Sequence, residues 1–269
     1  MNINKAPFME ELIQTCSNMY RLGWNERNGG NISMRLTQFE AAPYLDTAKS
    51  LRRISLHFDA SPLANKLFLV TGTGKYFKNV ERDPAHNLGL IRVAEDGVNA
   101  DILWGFSDGG GPTSELPAHF SSHIARLSRD SSHRVIIHCH ATNILAMTYT
   151  HPLDDRTFTR SLWQMSTECI VVFPEGVGVL PWMLCGTDEI GRATAEKMND
   201  YRLCVWAQHG VFGAGSSLDE TFGIIETAEK AAEIYMKTLN VSRLNTITDE
   251  QLRLLAEAFK ADYRKDFLF

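Results

Sequence analysis

The sequence predicts an α/β protein, on three observations. Short runs rich in β-branched and apolar residues, at 66–70, 134–138 and 203–206, have the length and composition of strands. Between them lie stretches with apolar residues at helical spacing, such as Leu12, Ile13, Cys16, Met19 and Tyr20. Strand ends repeatedly run into turns of glycine and polar residues, as at Thr71-Gly-Thr-Gly-Lys75 and Gln208-His209-Gly210. Periodicity leaves the sheet open between mixed and parallel.

Taken in order, residues 9–22 form an amphipathic helix that stops at Gly23. Asn28-Gly-Gly-Asn31 then leads into a strand at 32–36, and adjacent glycines there free the backbone to approach something closely. Taken alone, that motif is a turn. Residues 38–65 are polar and irregular, with weak strand signals. The strand at 66–70 delivers Thr71-Gly-Thr-Gly-Lys75, whose hydroxyls and free amides suit an anion such as phosphate. The spacing is neither that of a P-loop nor that of a dinucleotide fingerprint. Runs at 88–94 and 100–104 flank Glu95-Asp-Gly97 and read as a hairpin.

Gly109-Gly-Gly-Pro-Thr113-Ser114-Glu115-Leu-Pro117 reads as a loop feeding a helix, with Thr113 or Ser114 as cap and Pro117 in the first turn. Glu115 therefore stands at a helix N-terminus, where a carboxylate is favoured. His119 and His123 follow at helical spacing and are expected to be partly buried helix residues rather than a metal pair. Further on come a polar helix at 156–164, a buried strand at 168–173 and a helix from Thr187 to about Asn199. After the strand at 203–206, a capping box at Ser217-Leu-Asp-Glu220 opens a long helix to about Leu239. A last helix at 249–260 precedes the tail ending Phe267-Leu-Phe269. Cys169 and Cys204 are expected to be small core residues in strands.

The densest chemistry lies at Arg134-Val-Ile-Ile-His138-Cys139-His140. Side chains alternate across a strand, so His138 and His140 share one face while Cys139 turns away. Residues 141–147 then take helical spacing, which puts the pair at a strand-to-helix corner. Two neutral imidazoles suit zinc or another borderline divalent ion, but a site needs a third ligand. An isolated His-x-His is more simply one exposed and one core histidine. His209, again just past a strand and beside a glycine, is a candidate third, and Glu115 supplies a carboxylate. Three histidines and a carboxylate make the inventory of a catalytic zinc site with an open position.

With 44% hydrophobic and 22% charged residues, the chain has material for a core of ordinary soluble type. A net charge of -5 argues against nucleic acid or an anionic membrane as partner. No apolar run approaches spanning length, and the N-terminus reads as neither signal nor transit peptide. Five scattered cysteines without Cys-x-x-Cys fit reduced thiols in a cytoplasm better than a disulfide frame. A structural zinc site would want four closed ligands, and Cys139 faces the wrong way to be one.

The blocks Arg27-Asn-Gly-Gly-Asn31, Val70-Thr-Gly-Thr-Gly-Lys75, Pro112-Thr-Ser-Glu-Leu-Pro-Ala-His-Phe120, His138-Cys-His140 and His209-Gly210 occur in the order found in the class II, zinc-dependent sugar-phosphate aldolases and epimerases, and the chain resembles that family over nearly its whole length. Trp24-Asn-Glu-Arg-Asn-Gly-Gly-Asn31, Thr167-Glu-Cys-Ile-Val-Val-Phe-Pro174 and Gly186-Thr-Asp-Glu-Ile-Gly191 resemble one member that cleaves a ketose 1-phosphate. The resemblance implies a single catalytic domain over residues 1–269, three-layered α/β/α with a largely antiparallel central sheet, assembled as a homotetramer with the active site near a subunit interface. It implies one zinc ion per subunit on His138, His140 and His209, with Glu115 as the acid/base residue and a metal ligand when no substrate is bound. Asn28, Asn31, Thr73, Gly74 and Ser114 would bind the phosphate of dihydroxyacetone phosphate; relatives carry serine at the place of Thr73, and the hydroxyl is kept. Glu168 would reach a neighbouring subunit's site and handle the aldehyde oxygen.

The residues suit that chemistry in their own right. Cleaving a carbon–carbon bond β to a carbonyl needs an electrophile or a Schiff-base lysine to hold the developing charge, and no lysine isolated in a strand stands out. An aldolase, 4-epimerase or dehydratase acting on another ketose phosphate would keep the same metal and phosphate sites and differ at the aldehyde half. A scaffold module of this fold would have no need of all three histidines and Glu115 together.

Overall fold

Nine strands among the described residues join one sheet, and the hydrogen-bonding partners of each follow from its place in that sheet. The computed structural model describes residues 2–243 and 245–268, so Phe269 of the expected tail lies outside it. The strands are β1 Asn31–Leu36, β2 Arg52–Ser55, β3 Leu67–Thr71, β4 Leu88–Val93, β5 Asn99–Gly105, β6 Val135–Cys139, β7 Val177–Leu180, β8 Leu203–Trp206 and β9 Gly210–Gly215. Their order is β2-β5-β4-β3-β1-β6-β9-β8-β7. The pairing of β7 with β8 is parallel and the others are antiparallel, so the sheet is largely antiparallel, as the family resemblance implies.

The helices are α1 Pro7–Arg21, α2 Gln38–Ala41, α3 Phe77–Val80, α4 Pro84–Asn87, α5 Leu116–Arg129, α6 Thr142–Thr150, α7 Asp155–Trp163, α8 Cys169–Val172, α9 Asp188–Met198, α10 Leu218–Lys237 and α11 Asp249–Ala258. They divide between the two faces of the sheet. One face packs Ile32, Leu69, Ile137, Val205 and Val211 against apolar residues of α1, α6, α7, α8, α10 and α11. The other packs Phe68, Val70 and Ile102 against Leu116 and Phe120 of α5, and Ile136, Trp206 and Phe212 against α5 and α9. The period of two along β6 thus sends Val135, Ile137 and Cys139 into the larger core and Ile136 toward α5, and His138 shares the face of Ile136. That alternation aims His138 at the helix carrying Glu115.

Several expectations are corrected. Residues 168–173 are not a strand: Cys169–Val172 is the short helix α8, so Cys169 sits in a helix while Cys204 does lie in β8. Five consecutive apolar residues carry no period, and here Cys169, Ile170 and Phe173 are buried while Val171 and Val172 are half-buried, a helical rather than alternating pattern. The strand that does form nearby is β7, whose short run is interrupted by Gly178 and so gives little strand signal. Neither Thr113 nor Ser114 caps α5. Glu115 itself occupies the N-cap, and the Thr113 hydroxyl accepts from its amide at 3.2 Å. The Ser217 hydroxyl caps α10, but the Glu220 carboxylate turns to the amide of Ser216 at 2.7 Å, so the box is only half made. His119 and His123 are fully rather than partly buried. The tail packs Phe267 near Trp163, with ring centroids 6.2 Å apart.

Candidate active site

His138, His140 and His209 come together at one end of the sheet. Their ring centroids form a nearly equilateral triangle, with sides of 5.3, 5.0 and 5.3 Å. One ligating nitrogen from each lies within 4.8 Å of the other two. Local structure explains each position. His138 is the last but one residue of β6, stacked on Phe212 at 4.5 Å and tilted against Trp206 at 5.2 Å. His140 follows directly, its amide donating to the Trp24 carbonyl at 2.8 Å. His209 stands in the turn joining β8 to β9, after Gln208 at φ 58°. Gly210 must be glycine because a Cβ there would lie 2.3 Å from the Cys139 carbonyl oxygen and 3.1 Å from atoms of both His138 and His140.

Two of the imidazoles have their free nitrogen chosen for them. His138 Nδ1–H donates to the Val211 carbonyl at 3.1 Å, which leaves Nε2 buried with no hydrogen-bond partner. His140 Nδ1–H donates to Glu26 Oε1 at 2.8 Å, which leaves its Nε2 as the lone-pair side. Burial, reinforced by the neighbouring His140, holds His138 far below the usual histidine range. Burial and then His138 hold His209 down at about 4. Both are therefore neutral at neutral pH, the form in which an imidazole can bind a divalent metal. An orphaned buried lone pair inside a triangle of imidazoles fits a bound metal ion.

Glu115 closes the site from α5. Its Oε2 lies 3.5 Å from His138 Nε2 and its Oε1 3.8 Å from His209 Nε2. Asn31 Nδ2 donates to Oε2 at 2.9 Å. The β1 register explains this contact, since Asn31 faces His138 across the β1–β6 pairing. Gly29 and Gly30 lead into it, Gly30 at φ 71°, and a Cβ on Gly29 would meet the His140 ring at 2.7 Å.

The remaining expected residues fall into three places. Thr73, Gly74 and Ser114 sit exposed on two adjoining loops, tied by a bridge between Gly72 and Pro112 and by Thr73 N–H donating to the Gly111 carbonyl at 3.0 Å. That bond uses one of the amides expected to be free. Lys75 pins the same loops together through an ion pair with Asp108. Asn28 is exposed beside the glycine pair. Glu168 stands apart from this cluster, at the N-cap of α8, accepting from Ser166 Oγ at 2.6 Å. It borders an open cleft of about 640 Å³ that also includes Trp24, Asn143 and Lys230.

Comparison with known proteins places this geometry. The model of the class II aldolase and adducin N-terminal domain matches residues 10–236. The chain is 59% identical over 268 residues to a rhamnulose-1-phosphate aldolase of Listeria monocytogenes, covering 99% of this chain and 98% of that protein. It belongs to the class II aldolase family. A rhamnulose-1-phosphate aldolase of Enterococcus faecalis is 55% identical, with 96% of this chain and 93% of that protein covered. Among solved structures, a sugar-phosphate aldolase from Thermotoga maritima superposes with a TM-score of 0.76 at 27% identity, covering 87% of this chain and 96% of that one.

Class II aldolases are metal-dependent lyases, and the histidine triangle is this aldolase's candidate ion site. Several of its contacts escaped the sequence. Glu26 is separated from His140 by 114 positions, and no local pattern joins them. Cys185, on the exposed loop before α9, brings its sulfur within 4.8 Å of ligand atoms of Glu115 and His209. His119 and His123 stand with Glu115 at i, i+4 and i+8, on one face of α5.

Proposed function

We propose that this aldolase cleaves L-rhamnulose 1-phosphate to dihydroxyacetone phosphate and L-lactaldehyde, a step of rhamnose catabolism in the cytoplasm. It would work as a homotetramer of single-domain subunits with one zinc ion each. The observation that carries this reading is the meeting of three imidazoles and the Glu115 carboxylate at one point, in a chain 59% identical to a protein named for that activity.

Zinc on His138, His140 and His209 would supply the electrophile that holds the charge developing on the substrate's keto oxygen during cleavage. Asn28, Asn31, Thr73, Gly74 and Ser114 would hold the phosphate, a part of the substrate that does not react, so that its binding energy positions the reacting carbons. Asn31 keeps one amide hydrogen for this, because the other already goes to Glu115. As the C3–C4 bond breaks, its electron pair stays with C3, and Glu115 returns a proton to that carbon; in synthesis the same carboxylate removes it. Glu168, exposed and held ionised by the Ser166 hydroxyl, would take up the aldehyde-side hydroxyl proton in a neighbouring subunit's site.

A coupled assay for dihydroxyacetone phosphate release, run with metal analysis on the same samples, tests the reading. Wild type is expected to turn over, chelator-treated protein to lose activity and regain it with zinc, and Glu115→Ala to keep its metal while turnover collapses. No release from zinc-loaded wild type overturns the substrate assignment, and full activity after metal removal overturns the metal role.

A further inference from the structure

Behind Glu115 runs a buried chain of hydrogen bonds that the reaction as described does not use. Asn31 Nδ2 donates to Glu115 Oε2 at 2.9 Å, and Asn31 Oδ1 meets His119 Nε2 in a short contact. His119 Nδ1 lies 2.7 Å from Ser33 Oγ, and Ser33 Oγ lies 2.8 Å from His123 Nε2. His119, His123 and Ser33 are at most 1% exposed. The five groups interleave one face of α5, at positions 115, 119 and 123, with one face of β1, at 31 and 33.

The protons along this chain can be placed from its end. An ionised carboxylate only accepts, so the Asn31 amide must present its nitrogen to Glu115 and its oxygen to His119. His119 must then carry its hydrogen on Nε2, which leaves Nδ1 to accept from the Ser33 hydroxyl. The Ser33 oxygen in turn accepts from His123 Nε2–H. Each histidine needs a single N–H for this arrangement. Burial supplies that form, lowering His119 far below its usual range and His123 to about 3. Were Asn31 to flip, its carbonyl oxygen would face the Glu115 carboxylate, two acceptors with no hydrogen between them, and His119, Ser33 and His123 would all have to reverse their protons for His119 to accept from the NH2.

We propose that His119, backed by Ser33 and His123, is a positioning residue that latches the Asn31 amide in one orientation and through it aims the Glu115 carboxylate for proton transfer at C3. This rests on the acid/base role given to Glu115 above. His119 touches neither substrate nor metal ligand triangle in this account; it acts through Asn31.

The test measures deuterium exchange at C3 of dihydroxyacetone phosphate in D2O by NMR, with zinc-loaded wild type, Glu115→Ala, His119→Leu and His119→Gln. Thermal midpoints and zinc content are read for each. In His119→Leu the exchange turnover at saturating dihydroxyacetone phosphate should fall roughly tenfold to a hundredfold, with zinc content near wild type. His119→Gln places an amide N–H near the position of Nε2 and should recover to within about threefold of wild type. Ser33→Ala, which removes one oxygen and keeps the packing, gives a second reading should the leucine variant fail to fold. It should lower exchange at saturating substrate about threefold to tenfold. Wild-type exchange in His119→Leu or in Ser33→Ala, or equal losses in the Leu and Gln variants, overturns the latch. Absent exchange in wild type, or undiminished exchange in Glu115→Ala, overturns instead the role of Glu115 on which the latch depends.

Discussion

Removing one charge at Glu26, without removing its hydrogen bond, tests how the site sets ligand strength. Glu26 Oε1 accepts from His140 Nδ1–H at 2.8 Å, which fixes the tautomer and adds electron density to the ring that faces the metal. In Glu26→Gln the side-chain oxygen can still accept, so the tautomer survives and only the negative charge is lost. Carboxylates behind ligating histidines are worth about 10- to 100-fold in metal affinity. Here the Glu26 side chain is 67% exposed, so water and salt screen it and the low end applies. The expected loss is about tenfold, or ~1.4 kcal/mol. The assay is zinc competition against a chromophoric chelator, for wild type and variant, at two ionic strengths. The gap should narrow at high salt. Equal affinities, or a gap that salt leaves untouched, would refute the reasoning. His138 offers the contrast, since its Nδ1 is held by the buried Val211 carbonyl and owes nothing to a screened charge.

Three more outcomes follow from contacts already described. Gly210→Ala forces a Cβ against the Cys139 carbonyl oxygen at 2.3 Å, a backbone clash that should lower stability by ~2 kcal/mol or more and deplete bound zinc; a variant with wild-type midpoint and metal content refutes it. Burial holds His123 at about 3, against 6.5 when unfolded, so between those values the unfolded chain takes a proton that the folded one refuses. Stability from this group is whole above pH 6.5 and falls with acid by ~1.4 kcal/mol per pH unit; in His123→Gln the curve from urea unfolding should be shallower by that slope between about pH 6 and pH 4, and parallel curves count against it. Among the described cysteines Cys185 is exposed and the other four are buried, so iodoacetamide should label position 185 first and slow turnover, with dihydroxyacetone phosphate protecting it; complete labelling at full activity would contradict the placement beside Glu115.

Local rules carried the sequence a long way. Period two along 134–140 put His138 and His140 on one face and Cys139 on the other, and the sheet keeps them so because alternation is a property of the extended backbone itself. Asp-Gly at 96–97 marked the β4–β5 hairpin, and Thr187 and Ser217 marked helix starts, because turns and caps are settled by side chains a few positions away. Where five apolar residues stood together at 169–173 there was no period to read, and packing under α10 and α11 decided for a helix.

The sequence by itself thus supplied the candidate ligand types, the shared face of the His-x-His pair and the position of Glu115 at the start of a helix. Only the tertiary structure decided which groups finish the site. His209 joins the pair because β9 lies beside β6, a neighbour 73 positions away at the Val211 carbonyl. Asn31 and Ser33 reach Glu115, His119 and His123 because β1 lies under α5, across separations of 84 to 90 residues. The tautomers of four histidines follow from those long-range partners. A hydrogen-bonding group chooses its proton by what faces it in space, and for these residues none of the hydrogen-bond partners is near them in the chain.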